Sequence, residues 1–205
     1  ALFGVIPCKG KLSFGGQTLE SAKSIQFHMS HGVALVPRMR KERGIHDDLS
    51  ILDNMSMAFL NTKWKKLLIS GKAERERFAR QQKALQIKAG NPADPITSLS
   101  GGNQQKVILG KWLETDAEVL LFDNPTQGID VGTKFEIYHL ILELAKQGKA
   151  IVVFSSEFPE IYKVADSCMV LYKGRVNAVM GREEMTEKNV MYYSTGANVE
   201  GAKNA

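Results

Sequence analysis

The sequence predicts an α/β fold with a mostly parallel sheet, a helical subdomain and an N-terminal β-hairpin region. Three observations carry this. Short apolar runs at 33–36, 119–122 and 150–154 have the length and composition of buried strands. Helical patterns separate them, and strand, helix, strand in that order makes βαβ units. Between the first two runs lies a more polar, helix-patterned stretch, 47–98, large enough for a subdomain.

Along the chain, Leu2, Phe3, Val5 and Ile6 form an apolar segment, and Pro7, Gly10, Gly15 and Gly16 punctuate a hairpin. The chain opens without a capping signal, and the expectation is a fragment of something longer. Residues 25–32 predict a short helix stopped by Gly32, before the strand 33–36. A basic loop, 38–44, follows that strand at its carboxyl end, where open α/β sheets bind ligands; an exposed turn reads equally well. Residues 71–88 form a charged helical pattern, broken by Gly90, Asn91, Pro92 and Pro95. Thr133 and Glu136 have the spacing of a capping box for a helix carrying Ile137, Leu140, Ile141 and Leu144 and stopping at Gly148. Residues 160–165 predict a short helix. Residues 169–172, a Lys173-Gly174 turn and 175–180 predict a closing hairpin, with a mobile tail after Gly196.

The 205 residues suffice for one substantial core, or one core and a small satellite. A net charge of +5 is mild, and much of the excess clusters at Lys63, Lys65 and Lys66 around Trp64, then Arg75, Arg77, Arg80 and Lys83. That cluster reads as a solvated helix face or as a surface for an acidic partner. Cys8 and Cys168 lie far apart, match no metal spacing and suit a reducing compartment. His28, His31, His46 and His139 share no metal spacing either. No run of apolar residues is long enough for a transmembrane helix, and the start lacks the pattern of a signal peptide.

The most informative stretch is Leu99, Ser100, Gly101, Gly102, Asn103, Gln104 and Gln105, followed by an amphipathic run at 107–113. Ser100 is a good N-cap. Glycines let the backbone approach a ligand, and a helix start presents free N–H groups and the positive end of its dipole. Downstream, the strand 119–122 ends in Asp123. An anion-facing helix start and an acid-terminated strand together point to nucleotide chemistry.

Residues 99–105 resemble the signature motif of ATP-binding cassette ATPases. The Asn-Gln-Gln ending is most similar to the second cassette of the tandem ATPases that drive ribose- and galactose-type sugar importers. The strand 119–123 resembles Walker B, 127–130 the D-loop, and 155–160 the switch region in its sugar-family form. Val36, Pro37 and Arg38 stand where the Q-loop would be, and Asp53, Asn54 and Met55 resemble a motif opening the helical subdomain. The likeness runs from about Leu2 to Gly196. It implies a P-loop NTPase-like cassette fragment in four parts: 1–46, the N-terminal β region with the Q-loop part of the core; 47–112, the helical subdomain with the signature motif; 113–196, the part with Walker B, D-loop and switch; and 197–205, a flexible tail.

In this family two cassettes close head to tail around two nucleotides. The resemblance therefore implies that Ser100, Gly101, Gly102, Asn103 and Gln104 face a nucleotide held mainly by a partner cassette. It implies that Asp123 supports Mg²⁺, that Asp130 sits at the seam and that Arg38 belongs to the nucleotide pocket. Each has a plainer alternative: Asp123 capping a turn, Asp130 and Ser156 capping helices, and Arg38 lying in solvent. Met55, Met57, Phe59 and Leu60 read as core or as contacts to a membrane subunit.

The departures from the family pattern are informative. The Walker A loop has no counterpart in this sequence, and truncation is the expected reason. The catalytic Glu position holds Asn124, an amide that cannot take a proton from water; general-base help is worth about 10²–10⁴-fold. The switch position holds Ser156, which carries no positive charge, and the Q-loop carboxylate position holds Arg38. The expected function is that of the ATP-binding subunit of a carbohydrate importer, peripheral at the cytoplasmic face of the inner membrane. ATP and Mg²⁺ would be shared with the partner cassette. A membrane permease and, indirectly, a sugar-binding protein are the other expected partners, with no nucleic acid. The alternatives are an inert dimerisation and permease-docking scaffold, or a soluble cassette ATPase acting on nucleic acid or ribosomes.

Overall fold

A computed structural model describes residues 2–6, 9–14, 16–20, 24–62 and 70–197. Pro7, Cys8, Gly15, the Lys63–Lys66 cluster with Trp64, and the tail from 198 onward lie outside the described residues. The chain divides into two compact units, Ala1–Phe154 and Ser155–Ala205.

The first unit opens with an antiparallel hairpin of β1 (Lys11–Phe14) and β2 (Gln17–Glu20). Helix α1 (Ile25–Ser30) is capped by Ser24 and leads through Gly32, at φ 82°, into β3 (Val33–Val36). The left-handed turn at Gly32 is why the helix stops where the sequence predicts. A π-helical turn, Arg40–Gly44, then precedes α2 (Ile51–Thr62), α3 (Gly71–Ala84), a short 3₁₀ turn (Ile96–Ser98) and α4 (Gly101–Leu113). Strand β4 (Val119–Asp123), helix α5 (Val131–Lys146) and strand β5 (Ala150–Phe154) complete the unit.

The sheet of this unit is parallel, in the order β3-β4-β5. Val33 pairs with Val119, which in turn pairs with Ala150. One face is a core of Val33, Val119 and Leu121 with Phe3, against which Phe27, Met29, Leu35 and Trp112 pack. Phe3 meets the Trp112 ring edge-on at 5.5 Å and joins the core, whereas Leu2, Val5 and Ile6 of the same apolar segment stay exposed.

Four expectations need correction. The basic stretch after β3 is not an open loop: Met39, at φ 57°, redirects the chain into the π turn. The charged helix ends at Ala84, because Gln86 is left-handed at φ 52° and cannot continue it. Strand β5 is not buried. It is one of the two terminal strands of the described sheet, and Val152 and Phe154 are 39% and 38% exposed. The other terminal strand, β3, is covered by both α1 and α4, whereas β5 packs mainly against α5, so its apolar run is left partly open. Finally, α4 is not amphipathic. Residues 104–111 are all buried, since α2, β3 and the π turn all pack against this helix.

Entry to α2 is fixed by Asn54, which is 1% exposed. Its Oδ1 accepts from the His46 N–H at 2.8 Å, and its Nδ2 donates to the carbonyls of His46 and Ser50 at 3.0 Å each. Ser50 and Asp53 cap the helix reciprocally: Asp53 N–H donates to Ser50 Oγ at 3.1 Å, and Ser50 N–H to Asp53 Oδ2 at 3.3 Å. Met55 lies in the core, and Met57, Phe59 and Leu60 are half-buried.

The second unit holds α6 (Phe158–Val164), the antiparallel hairpin of β6 (Ser167–Tyr172) and β7 (Arg175–Gly181), and α7 (Glu187–Ser194). Its core is Cys168, Val170, Met180, Met185 and Val190. Lys173 and Gly174, both at positive φ, make the hairpin turn that the sequence predicts.

Asn54→Ala removes the acceptor of the His46 N–H, while the His46 and Ser50 carbonyls keep the backbone N–H groups of Leu49 and Asn54. It is expected to destabilise the first unit by about 1–2 kcal/mol, read from the urea unfolding midpoint.

Candidate functional site

The candidate site is built around the start of α4. Ser100 has the extended backbone of an N-cap, and its Oγ accepts from the Asn103 backbone N–H at 3.5 Å and from Asn103 Nδ2 at 2.9 Å. Asn103 Oδ1 in turn accepts from the Lys88 N–H at 2.8 Å, tying the cap to the loop after α3. Ser100 is exposed, Gly101 and Asn103 are half-buried, and Gly102 is buried against Thr133. Gln104 is different. It is buried, and its Nε2 donates to the carbonyls of Leu99, at 3.1 Å, and Ile96, at 3.4 Å. It buttresses the loop from inside.

The glycines serve a purpose that the sequence does not reveal. A Cβ at Gly101 would collide with Arg40 Nη2, and one at Gly102 would sit 2.6 Å from Thr133 Oγ1. Their bareness admits neighbouring side chains of this same chain. Arg40 itself goes unnoticed in the sequence, within a run of basic residues. Its Nε donates to Gln104 Oε1 at 3.3 Å, and its Nη1 donates to the carbonyls of Gln127 and Gly128 at 3.2 Å each.

The π turn that carries Arg40 is fixed to α4. Lys111 Nζ donates to the Gly44 carbonyl at 2.5 Å. A Cβ at Gly44 would fall 2.6 Å from Ile108 Cδ1, so backbone and helix are in contact there. Burial pushes the Lys111 ammonium down to about 8.

Asp123 ends β4, as the sequence predicts. Asn124 follows in the left-handed region at φ 47°, held by its N–H donating to the Phe154 carbonyl at 2.8 Å. Arg38 Nε lies 3.4 Å from Asp123 Oδ2, and Asn124 Nδ2 donates to Oδ1 at 3.4 Å. Arg38, 53% exposed, thus makes a solvent-screened pair with the carboxylate. Among the described residues no group of three or more His, Cys, Asp or Glu side chains could hold a metal. One carboxylate, flanked by a guanidinium and an amide, does not make a divalent-cation site. The residues present do not fit a Mg²⁺ ion held by this chain alone.

Asp130 is the N-cap of α5. The Thr133 backbone N–H donates to its Oδ1 at 2.9 Å and the Thr133 hydroxyl to its Oδ2 at 2.8 Å. Those bonds, the backbone one first, hold its carboxyl below the usual range. The capping-box expectation at Thr133 and Glu136 is thus corrected: the helix begins before Thr133, and Glu136 instead pairs with Lys106 of α4 at 2.7 Å. Ser156 belongs to the second unit and is exposed. It does not cap α6, whose N-cap is Glu157 without a side-chain cap bond; Ser155 Oγ accepts the Glu157 N–H at 3.0 Å in the turn before the helix. The basic face of α3 is only partly solvated. Arg75, Arg80 and Lys83 are exposed, whereas Arg77 turns inward, over the Phe59 ring at 4.1 Å and 3.5 Å from the buried Glu114 carboxylate.

The description "ABC transporter" matches residues 2–127 of the chain, more than half of it. The chain belongs to the ABC transporter family. The ribose import ATP-binding protein RbsA of Oceanobacillus iheyensis is 40% identical over 199 residues, 97% of this chain and 40% of that protein. RbsA 1 of Streptomyces coelicolor is 44% identical over 168 residues, 82% and 33% of the two chains. This cassette sequence thus spans about two fifths or less of the length of these relatives. Among solved structures, a nucleotide-free ATP-binding cassette from an ABC transporter superposes with a TM-score of 0.76 at 19% identity, covering 93% of this chain and 76% of that one. The cassette MJ0796 bound to ADP and Pi gives 0.71 at 19% identity, over 85% and 74%. These likenesses show that the fold is that of an ABC ATPase cassette.

Because Lys111 is held below its ordinary 10.5 in the folded cassette, the unfolded chain binds the proton more tightly. Stability is expected to rise as pH climbs from about 8 to 10.5, by up to about 3 kcal/mol, and Lys111→Met is expected to flatten that slope in urea titrations across pH.

Proposed function

We propose that this chain is an ATP-binding cassette of a carbohydrate importer, and that it lends its signature helix to a nucleotide held by a partner cassette. The observation that carries the reading is a contrast within one unit. Ser100, at the start of α4, is exposed, and the turn it caps is braced, whereas the Asp123 carboxylate is paired with Arg38. The relatives named as ribose import ATP-binding proteins support the carbohydrate class.

In this reading Ser100, Gly101 and Gly102 face the γ-phosphate of the partner's nucleotide, with Asn103 orienting the Ser100 hydroxyl and Gln104 supporting from beneath. Asp130 stands at the seam between cassettes while capping α5. Asn124 supplies no base and Ser156 no cation, so the chain's own pocket adds little catalysis. ATP and Mg²⁺ are held chiefly by the partner. The four sequence segments keep the roles assigned to them by resemblance, with the helical subdomain turned to a membrane permease at the cytoplasmic face and a sugar-binding protein acting through that permease. A second reading is a cassette that is only a dimerisation and docking scaffold; the Arg38–Asp123 pair favours it equally.

Calorimetry of the chain alone with Mg·ATP is expected to show no binding tighter than about 1 mM, some 4 kcal/mol. Adding the chain to the Walker A-bearing cassette of the same importer is expected to lower the ATP needed for hydrolysis, and Ser100→Glu, which sets a carboxylate against phosphate, to abolish that effect. Micromolar ATP binding by the chain alone overturns the proposal. Absence of any effect on the partner leaves the scaffold reading. Asn124→Glu is expected to leave hydrolysis unchanged; a gain approaching about 10²-fold marks this pocket as competent after all.

A further inference from the structure

We propose that Arg40 is a positioning residue that locks the start of α4 to the loop at Gln127 and Gly128, so that both present one rigid edge. The inference rests on the reading above only for what that edge faces.

Three acceptors from two distant segments converge on this one guanidinium: the Gln104 side chain and the carbonyls of Gln127 and Gly128. Each end is fixed by other means. Gln104 is bonded to the Ile96 and Leu99 carbonyls, and so passes the link to the loop that leads into Ser100. Gly128 adopts φ 70°, a conformation that L side chains rarely take, with Arg40 Nη1 3.5 Å from where its Cβ would be. The base of Arg40 is immobilised as well, since Lys111 and Ile108 of α4 hold the π turn at Gly44.

The chemistry selects arginine. A planar fork donates in several fixed directions at once, and here it spans a side-chain amide on one side and two carbonyls on the other. A lysine brings one point charge on a flexible stem and cannot hold both sides together. Gly101 completes the fit, because any side chain there would displace the guanidinium. Arg40 does not touch the reacting atoms in this arrangement. It sets the distance between the Ser100 turn and the 127–130 loop, and its positive charge lies beside the positive end of the helix dipole.

Amide hydrogen exchange on the chain, read by mass spectrometry, tests the lock directly. Arg40→Ala is expected to speed exchange by about tenfold in peptides covering 99–105 and 125–130, with β3, β4 and the second unit unchanged and Arg40→Lys intermediate. In the mixture with the Walker A-bearing cassette, Arg40→Ala is expected to raise the half-saturating ATP concentration about tenfold while leaving the plateau rate within about twofold, as a misplaced binding edge does. Unchanged exchange in both segments overturns the proposal. So does faster exchange throughout the chain, which marks Arg40 as merely structural, or a lowered plateau with half-saturation unmoved. If wild-type chain has no effect on the partner cassette, the functional reading fails while the exchange measurement still decides the lock.

Discussion

The constraint on which the first unit depends is the burial of α4. A helix buried along eight successive residues, 104 to 111, has no solvent face on which to place its polar side chains. Each must find a partner inside the protein, because an unpaired buried polar group costs about 1–3 kcal/mol. The neighbouring elements supply partners to Gln104, Lys106 and Lys111. Gln104 meets Arg40 and the carbonyls of Ile96 and Leu99, Lys106 meets Glu136 of α5 and the Gln86 carbonyl, and Lys111 meets the Gly44 carbonyl. Just past the helix, Glu114 receives Gln81 and faces Arg77 of α3. The polar residues of one helix therefore specify how the π turn, α3 and α5 are placed around it.

That arrangement explains why an exposed helix start can be held rigid. The first turn of α4 leaves Ser100 open to solvent while Gly102 is buried. What fixes it lies below and beside it: Gln104 underneath, Asn103 across to Lys88, Arg40 against Gly101 and Thr133 against Gly102. Thr133 also supplies both hydrogen bonds to the Asp130 carboxylate. One threonine thus joins the cap of α5 to the close approach at α4. A helix terminus preorganised in this way presents its N–H groups without needing to reorder on meeting an anion.

Much of the architecture was legible in the sequence. Strands at 33–36 and 119–123, the Ser100 cap, the Gly32 and Gly148 stops and the closing hairpin all follow from local signals: apolar runs, capping side chains and glycines at positive φ. What was illegible depends on contacts between distant segments. Nothing local marks β5 as a partly open terminal strand, since that depends on which elements pack against it. Thr133 and Glu136 have capping-box spacing, but Asp130 begins the helix earlier and Lys106 takes the glutamate. Arg40 is one cation among several in its run and acquires its partners only when residues 64 and 87 positions away fold against it. The glycines were correctly singled out for close approach, yet what approaches them is Arg40 and Thr133.

The pairing of Arg38 with Asp123 deepens the meaning of the other departures. A carboxylate at the end of a buried strand attracts a cation of some kind, because an isolated charge near a low-dielectric core is costly. In a site built for a divalent ion that cation is the metal. Here a guanidinium from the residue that follows β3 by two positions lies against one oxygen, and an amide donates to the other. With Arg38 53% and Asp123 29% exposed, this pair is screened by solvent and worth about 0–1 kcal/mol, so it orients the carboxylate rather than holding the strand end together. Asn124 is fixed chiefly by its backbone, at φ 47° with its N–H on the Phe154 carbonyl, and its amide contact to Asp123 at 3.4 Å adds little.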